Sequence, residues 1–201
     1  MTYILSNLRP RHVIRALLGV LLTASAVSCR NDNTELTFVG DSIVARWDLD
    51  EFFPHYPHVN LGQSGSGISY LQRTISGKDF DCLVILSGTN DNYSFAEGNI
   101  DAYVKRYVEI IKSAHAGHIY LYSVLPRDFA ADDASVNTRI IAFNRLVSNT
   151  VAGNQTITYI NAFDYFYTDG HIDKALYSDR LHLSRDGYEV LSSLLKGILD
   201  K

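Results

Sequence analysis

The sequence is poor in basic residues and contains no low-complexity tract. Lys and Arg number 18, against 22 Asp and Glu. Three of these basic residues and none of the acidic ones lie in residues 1–28, so the rest of the chain carries 15 basic against 22 acidic residues. No stretch resembles a basic stripe, which argues against nucleic acid as a partner. The absence of low-complexity segments and internal repeats argues against disorder beyond the start of the chain.

Long apolar runs are also scarce, and the longest one has the features of an export signal. Three arginines without acidic residues precede the apolar residues 16–27, a run too short to span a bilayer comfortably. The small residues Ala26 and Ser28 then precede Cys29, an order that resembles a bacterial lipoprotein signal. We therefore expect residues 1–28 to be removed and Cys29 to be lipidated. A plain cleaved signal and an uncleaved anchor are the alternatives.

The remaining chain predicts one domain after a short linker. Residues 29–35 are polar, and residues 36–201 can form a single core, since 46% of the whole sequence is hydrophobic. Five short apolar or β-branched runs are typical of strands that are covered on both faces of a parallel sheet. They comprise residues 36–39, 58–61, 82–86, 118–124 and 157–160.

Segments with helical periodicity separate and follow these runs. One apolar stripe extends from Ile100 to Ala114, and Gly117 is placed to end that helix. Two further stripes begin after Ser135 and Ser184, which are favoured residue types at helix N-caps. The alternation predicts a three-layer α/β domain with about five parallel strands. In such sheets ligands bind beyond the carboxyl ends of the strands.

Glycine-rich and polar motifs occur at three of these predicted strand ends and in one late loop. They are Gly40-Asp41-Ser42, Gly62-Gln63-Ser64-Gly65, Ser87-Gly88-Thr89-Asn90-Asp91 and Asp179-Arg180-Leu181-His182. Because the carboxyl ends of parallel strands share one edge of the sheet, we expect the first three motifs to lie together.

These motifs supply every group that acyl transfer by a serine requires. Ser42, on a tight turn leaving a strand, can expose its Oγ above the sheet. His182 is the candidate base for the hydroxyl proton, and Asp179 is the candidate to fix the histidine tautomer. The backbone N–H groups of Ser42 and Gly62 and the side-chain amide of Asn90 are candidates for an oxyanion hole.

Each motif alone also has an ordinary structural explanation. Gly-Asp-Ser is common in turns, Asn90 could tie its own turn to neighbouring backbone, and Asp179 could brace its loop. Four motifs that occur in order and complete one mechanism favour the catalytic interpretation over these separate explanations.

Together the motifs resemble the sequence blocks of the SGNH hydrolases, also called GDSL-like lipases and esterases. Similar stretches at residues 125–127, 143–146 and 181–188 extend the resemblance over nearly all of the mature chain. The resemblance implies a flavodoxin-like sheet with strand order 2-1-3-4-5, no metal and no organic cofactor. It also implies a triad of Ser42, Asp179 and His182, and an oxyanion hole of Ser42, Gly62 and Asn90.

Two positions depart from the family pattern. Ile43 replaces the leucine that gave the GDSL motif its name, which is a conservative change. Arg180 stands where many relatives have glycine between the triad aspartate and histidine. Its side chain is expected either to contact substrate or to point to water.

Several aromatic residues near the motif loops could line an acyl or sugar pocket, although core packing explains most of them equally well. They are Trp47, Phe52, Phe53, Tyr70, Tyr93 and Phe95.

The leading expectation is hydrolysis of a small acyl ester, such as an O-acetyl group on a carbohydrate, through an acyl-enzyme on Ser42. A small domain without a long insertion has little material for an enclosed lipid tunnel, so small acyl esters and acylated glycans are the expected substrates. A lysophospholipase, a thioesterase or an acyltransferase would use the same residues. A non-catalytic surface lipoprotein that binds glycan is an alternative of another class.

We expect an exported protein held at a bacterial membrane by its lipid alone, in the periplasm or at the cell surface.

Overall fold

The computed structural model describes residues 33–95, 98–128 and 135–200. The predicted signal segment and Cys29 lie outside these residues. Within the described ranges, no helix is both long and apolar enough to cross a bilayer.

A five-stranded parallel sheet forms the centre of the domain. Its strands are β1 (Leu36–Gly40), β2 (His58–Gly62), β3 (Asp79–Leu86), β4 (His115–Tyr122) and β5 (Ile157–Ile160). They lie in the order β2-β1-β3-β4-β5, and every pairing between neighbours is parallel. The predicted α/β class, the number of strands and the strand order are confirmed.

Helices cover both faces of this sheet. Those in the described ranges are α1 (Ser42–Ala45), α2 (Leu49–Phe52), α3 (Ile68–Ile75), α4 (Ile100–Lys112), α5 (Val136–Val151), α6 (Phe163–Phe166) and α7 (Arg185–Leu199). Two 3₁₀ helices, Thr89–Phe95 and Lys174–Leu176, and a small hairpin of β6 (Tyr167–Thr168) and β7 (His171–Ile172) complete the domain as described.

Two apolar clusters form the core, one on each face of the sheet. Successive side chains of a strand point to opposite faces, so Val84 of β3 joins the cluster under α1, α2 and α7. Its neighbour Ile85 joins the cluster under α3, α4 and α5. Both side chains are buried, which explains why the strand sequences are continuously apolar rather than alternating.

The predicted boundary between α4 and β4 is wrong. The helix ends at Lys112, and Gly117 lies within β4 rather than after the helix. The strand begins early because His115 pairs with Asp79 at the start of β3. A neighbouring strand supplies hydrogen-bond partners that the local sequence does not reveal. Ser184 does cap its helix as predicted, accepting a hydrogen bond from the Gly187 N–H at 3.3 Å.

Candidate active site

The first three strands end at the same level of the sheet. Gly40, the last residue of β1, lies opposite Gly62 of β2 and Leu86 of β3. The loops that follow these strands are therefore neighbours at the carboxyl edge, where ligands bind in sheets of this type. The structure brings the first three motifs together as the sequence predicts.

Ser42 lies on a turn that only glycine allows. A Cβ at residue 40 would lie 2.0 Å from the carbonyl oxygen of Leu86, so β1 can leave the sheet here only without a side chain. Asp41 then caps α1 by accepting a hydrogen bond from the Ile43 N–H at 3.0 Å. Ser42 becomes the first residue of α1 and is 5% exposed.

His182 joins Ser42 and Asp179 in a hydrogen-bonded chain. Its Nε2 lies 3.0 Å from Ser42 Oγ, and its Nδ1 lies 2.7 Å from Asp179 Oδ2. With the ring proton on Nδ1, the histidine donates to the carboxylate and its Nε2 can accept the serine proton. This is the arrangement that an activated serine nucleophile requires.

The loop that carries Asp179 is stabilised by that carboxylate itself. Asp179 Oδ1 accepts hydrogen bonds from the N–H groups of Leu181 at 2.8 Å and His182 at 2.7 Å. Partial burial raises the pKa of Asp179, but these bonds and the one with the His182 ring outweigh it and lower the pKa to about 2. The carboxylate is therefore charged at neutral pH and can orient an imidazolium.

Arg180 belongs to a contact between this loop and the segment after β4. Its Nε donates to the carbonyl oxygen of Asp128 at 2.8 Å, and its own carbonyl oxygen accepts from the Asp128 N–H at 3.0 Å. Asp128 in turn forms a salt bridge with Lys174, with 3.3 Å between Oδ2 and Nζ. The Arg180 side chain thus contacts the protein backbone, whereas the sequence predicts that it contacts substrate or points to water. This contact holds the loop of Asp179 and His182 against its neighbour.

Asp41 is a second charged group at the site, and it is fully buried. Burial raises the pKa of Asp41 to about 6, although hydrogen bonds from the Ile43 and Thr89 N–H groups and the charge of Arg127 lower it. The carboxylate of Asp91 nearby raises the pKa further. The residue that positions Ser42 is therefore close to its titration point in mildly acidic solution.

Asn90 lies beside the loop that follows β2. Its Nδ2 donates to the carbonyl oxygen of Ser66 at 2.8 Å. An amide group carries two N–H donors, and no residue in the described ranges accepts the second one, which can therefore reach a substrate oxygen. The neighbouring Asp91 reinforces this pairing of loops, because its Oδ2 accepts from the Ile68 N–H at 2.9 Å. Asn90 therefore ties the loops together and also keeps a donor for the oxyanion role.

The structure does not support Gly62 as an oxyanion donor. Its N–H donates to Asn60 Oδ1 at 2.9 Å, which uses the single hydrogen that this group has. The absence of a side chain serves packing instead, since a Cβ at residue 62 would lie 2.2 Å from the backbone nitrogen of Ala45 in α1. Gly62 allows β2 to pass close to the helix that carries Ser42.

The turn after β2 offers other donors. The Ser66 N–H bonds to the Gln63 carbonyl at 3.1 Å, and Gly65 has a φ of +73°. These features identify a type II turn with Gly65 at its third position. Within the described residues, the N–H groups of Ser64 and Gly65 have no acceptor, and both residues are exposed. Sequence reasoning missed them, although a glycine in this turn position was the available signal.

Most of the aromatic residues near the motif loops belong to the core. Trp47, Phe52, Phe53 and Phe95 are buried, and the hydroxyl of half-buried Tyr70 donates to the Leu61 carbonyl at 2.8 Å. Tyr93 is different, because 73% of its surface is exposed.

Comparison with known proteins points to one family. The model of the GDSL-like lipase/acylhydrolase family matches residues 38–190. The human platelet-activating factor acetylhydrolase IB subunit alpha1 is 25% identical over 181 residues, which span 85% of this chain and 77% of that protein.

Solved structures share the fold. One from Streptococcus pneumoniae has a TM-score of 0.69 and 26% identity, covering 83% of this chain and 84% of that one. A GDSL-like lipase from Bacteroides thetaiotaomicron has a TM-score of 0.66 and 19% identity, with coverages of 83% and 88%. An acetylxylan esterase from Geobacillus stearothermophilus has a TM-score of 0.58 and 17% identity, with coverages of 84% and 94%. Because the family model matches most of the domain, the chain belongs to the GDSL-like lipase/acylhydrolase family and is an enzyme of the esterase class.

Proposed function

We propose that this enzyme hydrolyses small acyl esters through an acyl-enzyme on Ser42. The observation that carries the proposal is the chain of hydrogen bonds from Ser42 Oγ to His182 Nε2 at 3.0 Å and from His182 Nδ1 to Asp179 at 2.7 Å. No other described histidine forms hydrogen bonds to both a serine hydroxyl and a carboxylate. The arrangement therefore supports Ser42 as the nucleophile and His182 as the base.

The reaction proceeds in two steps of acyl transfer. Ser42 Oγ attacks the ester carbonyl carbon while His182 Nε2 takes the hydroxyl proton. The tetrahedral intermediate then expels the alcohol, which receives that proton from His182. Water attacks the acyl-enzyme with His182 again acting as base, and the acid leaves from Ser42. Asp179 stays ionised throughout and stabilises the imidazolium.

Three donors would stabilise the negative oxygen of each intermediate. The Ser42 N–H lies in the first turn of α1, where backbone N–H groups lack helical partners. Asn90 contributes its second amide hydrogen. In place of Gly62 we assign the third donor to Gly65, whose N–H has no acceptor in the described structure and whose missing side chain leaves room for a carbonyl oxygen.

The names of two relatives favour acetyl as the acyl group. One is an acetylhydrolase and another an acetylxylan esterase, so both act on acetyl esters although their alcohols differ. We propose an O-acetyl group on a carbohydrate as the substrate of this enzyme. A panel of esters and thioesters with increasing acyl length would test this choice. Higher kcat/KM for lysophospholipids or thioesters than for acetylated sugars would overturn it.

The triad assignment is tested by removing its members singly and together. Ser42→Ala and His182→Ala should each nearly abolish hydrolysis of an activated acetate ester, and the double variant should lose little more than either one. The reason is that nucleophile and base act as a unit. Labelling of the unaltered protein by a fluorophosphonate, lost in Ser42→Ala, would separate an enzyme from a glycan-binding protein. Turnover by Ser42→Ala close to that of the unaltered protein would remove Ser42 from the mechanism.

We also propose export and lipid anchoring at Cys29. The support is the order of arginines, apolar run and small residues that precede this cysteine. Cys29→Ala should move the protein from the membrane fraction to the soluble fraction of bacterial cells. If the unaltered protein is already soluble after export, the lipid anchor is wrong.

A further inference from the structure

The 3₁₀ helix Thr89–Phe95 presents two different faces beside the candidate active site. A 3₁₀ helix has three residues per turn, so side chains three positions apart lie above one another. Thr89 and Phe95, six positions apart, are both buried. Asn90 and Tyr93, three positions apart, are both exposed. The burial pattern therefore places Asn90 and Tyr93 on one solvent-facing side of this helix.

This spacing brings the Tyr93 ring next to the oxyanion donor. With a rise of about 2.0 Å per residue, the backbones of Asn90 and Tyr93 are separated by about 6 Å along the helix axis. A substrate whose carbonyl oxygen is held by Asn90 would then have its acyl side or its alcohol side within reach of Tyr93. The width of a sugar ring is comparable to this separation.

The helix is held rigidly despite its exposed face. Arg127 Nη1 donates to the carbonyl oxygen of Thr89 at 2.7 Å, and Asn90 bonds to Ser66 at 2.8 Å. At the other end Phe95 stacks on Phe143, with ring centroids 4.3 Å apart and planes inclined by 4°. Tyr93 therefore projects from a backbone fixed on both sides. Because the backbone is already fixed, only the side-chain torsions of Tyr93 have to be ordered when a ligand binds, which limits the entropy lost.

We propose that Tyr93 is a stacking surface for the sugar ring of an acylated glycan, and thus determines the alcohol specificity of this enzyme. The inference rests on the proposed esterase function. A tyrosine ring is apolar on its faces and polar at its hydroxyl, which suits a sugar that has C–H groups on one face and hydroxyls at its rim.

The surroundings of the ring favour a sugar over an aliphatic chain. Tyr93 is 73% exposed, and the adjacent residues Asn90 and Ser94 are exposed and polar. A ring in this setting can cover one face of a ligand but cannot enclose a chain, and a flexible chain left half in water would gain little. A rigid ring with hydroxyl groups loses less entropy and tolerates the exposed side.

The experiment compares two acetate esters that differ only in their alcohol. Methyl acetate has no ring, whereas a mono-O-acetylated methyl xyloside presents a sugar beside the same acyl group. Steady-state kcat and KM are measured for both esters with the unaltered protein, Tyr93→Ala and Tyr93→Phe. Tyr165→Ala serves as the matched control, because Tyr165 is also exposed, at 57%, but lies in α6 after the distant strand β5.

The expected result is a change of specificity. In Tyr93→Ala the ratio of kcat/KM for the xyloside to that for methyl acetate should fall about five- to tenfold, mainly through KM. Tyr93→Phe, which keeps the ring, and Tyr165→Ala should keep the ratio within about twofold. An unchanged ratio in Tyr93→Ala would overturn the inference and leave the esterase function intact. So would an equal loss in Tyr93→Phe. If the unaltered protein hydrolyses neither ester, the proposed function itself fails.

Discussion

Replacing Asn90 with alanine separates the observed bond of this side chain to the Ser66 carbonyl from the oxyanion role that we propose for it. One amide hydrogen is bonded to the Ser66 carbonyl at 2.8 Å, and the other has no acceptor among the described residues. The free donor acts only when the carbonyl oxygen becomes negative, so its loss should lower kcat with little change in KM. Removing one such donor typically costs roughly 100- to 1000-fold in kcat, or about 3 to 4 kcal/mol.

The bond to Ser66 should appear in stability instead. An internal hydrogen bond of this kind contributes about 1 kcal/mol to the free energy of unfolding. In a chain of this size such a change lowers Tm by about 2 to 4 °C. The kinetic effect of Asn90→Ala is thus expected to be about three times larger than its effect on folding, when both are written as free energies.

The assay measures kcat, KM and Tm on the same purified Asn90→Ala protein, with activity expressed per folded molecule. Asn154→Ala is the matched control, because Asn154 Oδ1 accepts hydrogen bonds from the Thr156 N–H and hydroxyl, each at 2.9 Å, in the turn before β5. That variant should lose stability without losing kcat. An Asn90→Ala protein with lowered Tm and nearly normal kcat would refute the oxyanion role and leave Asn90 as a structural tie.

Two further predictions concern charged residues at the site. Because burial raises the pKa of Asp41 to about 6, the folded chain holds a proton near pH 5 that the unfolded chain releases. The Asp41 contribution to the free energy of unfolding should therefore fall as the pH rises from about 4 to about 6, by up to about 3 kcal/mol. Asp41→Asn should flatten this decline in urea titrations, and an unchanged slope would contradict the raised pKa. Arg180→Gly removes the bond to the Asp128 carbonyl. Because this bond helps to position the loop of His182, its loss should lower kcat by about two- to tenfold at constant KM. A lower Tm with full kcat would instead assign Arg180 to stability alone.

The layered fold could be predicted because its signals are local. Strands covered on both faces have continuously apolar sequences, and the helices between them carry one apolar stripe each. The register between strands is not local, which is why the sequence predicts a start for β4 that is too late. His115 and its neighbours carry no apolar run, yet they form strand structure because β3 provides backbone partners beside them.

The hydrogen-bonded chain of Ser42, His182 and Asp179 was also predictable, since each residue follows a strand or precedes a helix in a short motif. The error at Gly62 has a different origin. Its motif contains two glycines, Gly62 and Gly65, and the sequence does not show which of them leaves its N–H without an internal acceptor. Only the structure shows that Gly62 is needed for contact with Ala45 and that its N–H bonds to Asn60. In the exposed turn at Gly65, by contrast, the N–H groups of Ser64 and Gly65 have no acceptor in the part of the chain that the structure describes.

Local sequence signals were enough to predict the α/β class, the nucleophile, base and acid proposed for the reaction, and the order in which their motifs occur. These follow from residue type and periodicity, which act over a few neighbouring positions. The tertiary structure decided which hydrogen bonds are already used, and therefore which groups are free for a substrate. It paired Arg180 with Asp128 and left Tyr93 exposed beside Asn90. Such choices depend on segments distant in the chain, whose contacts no single motif records.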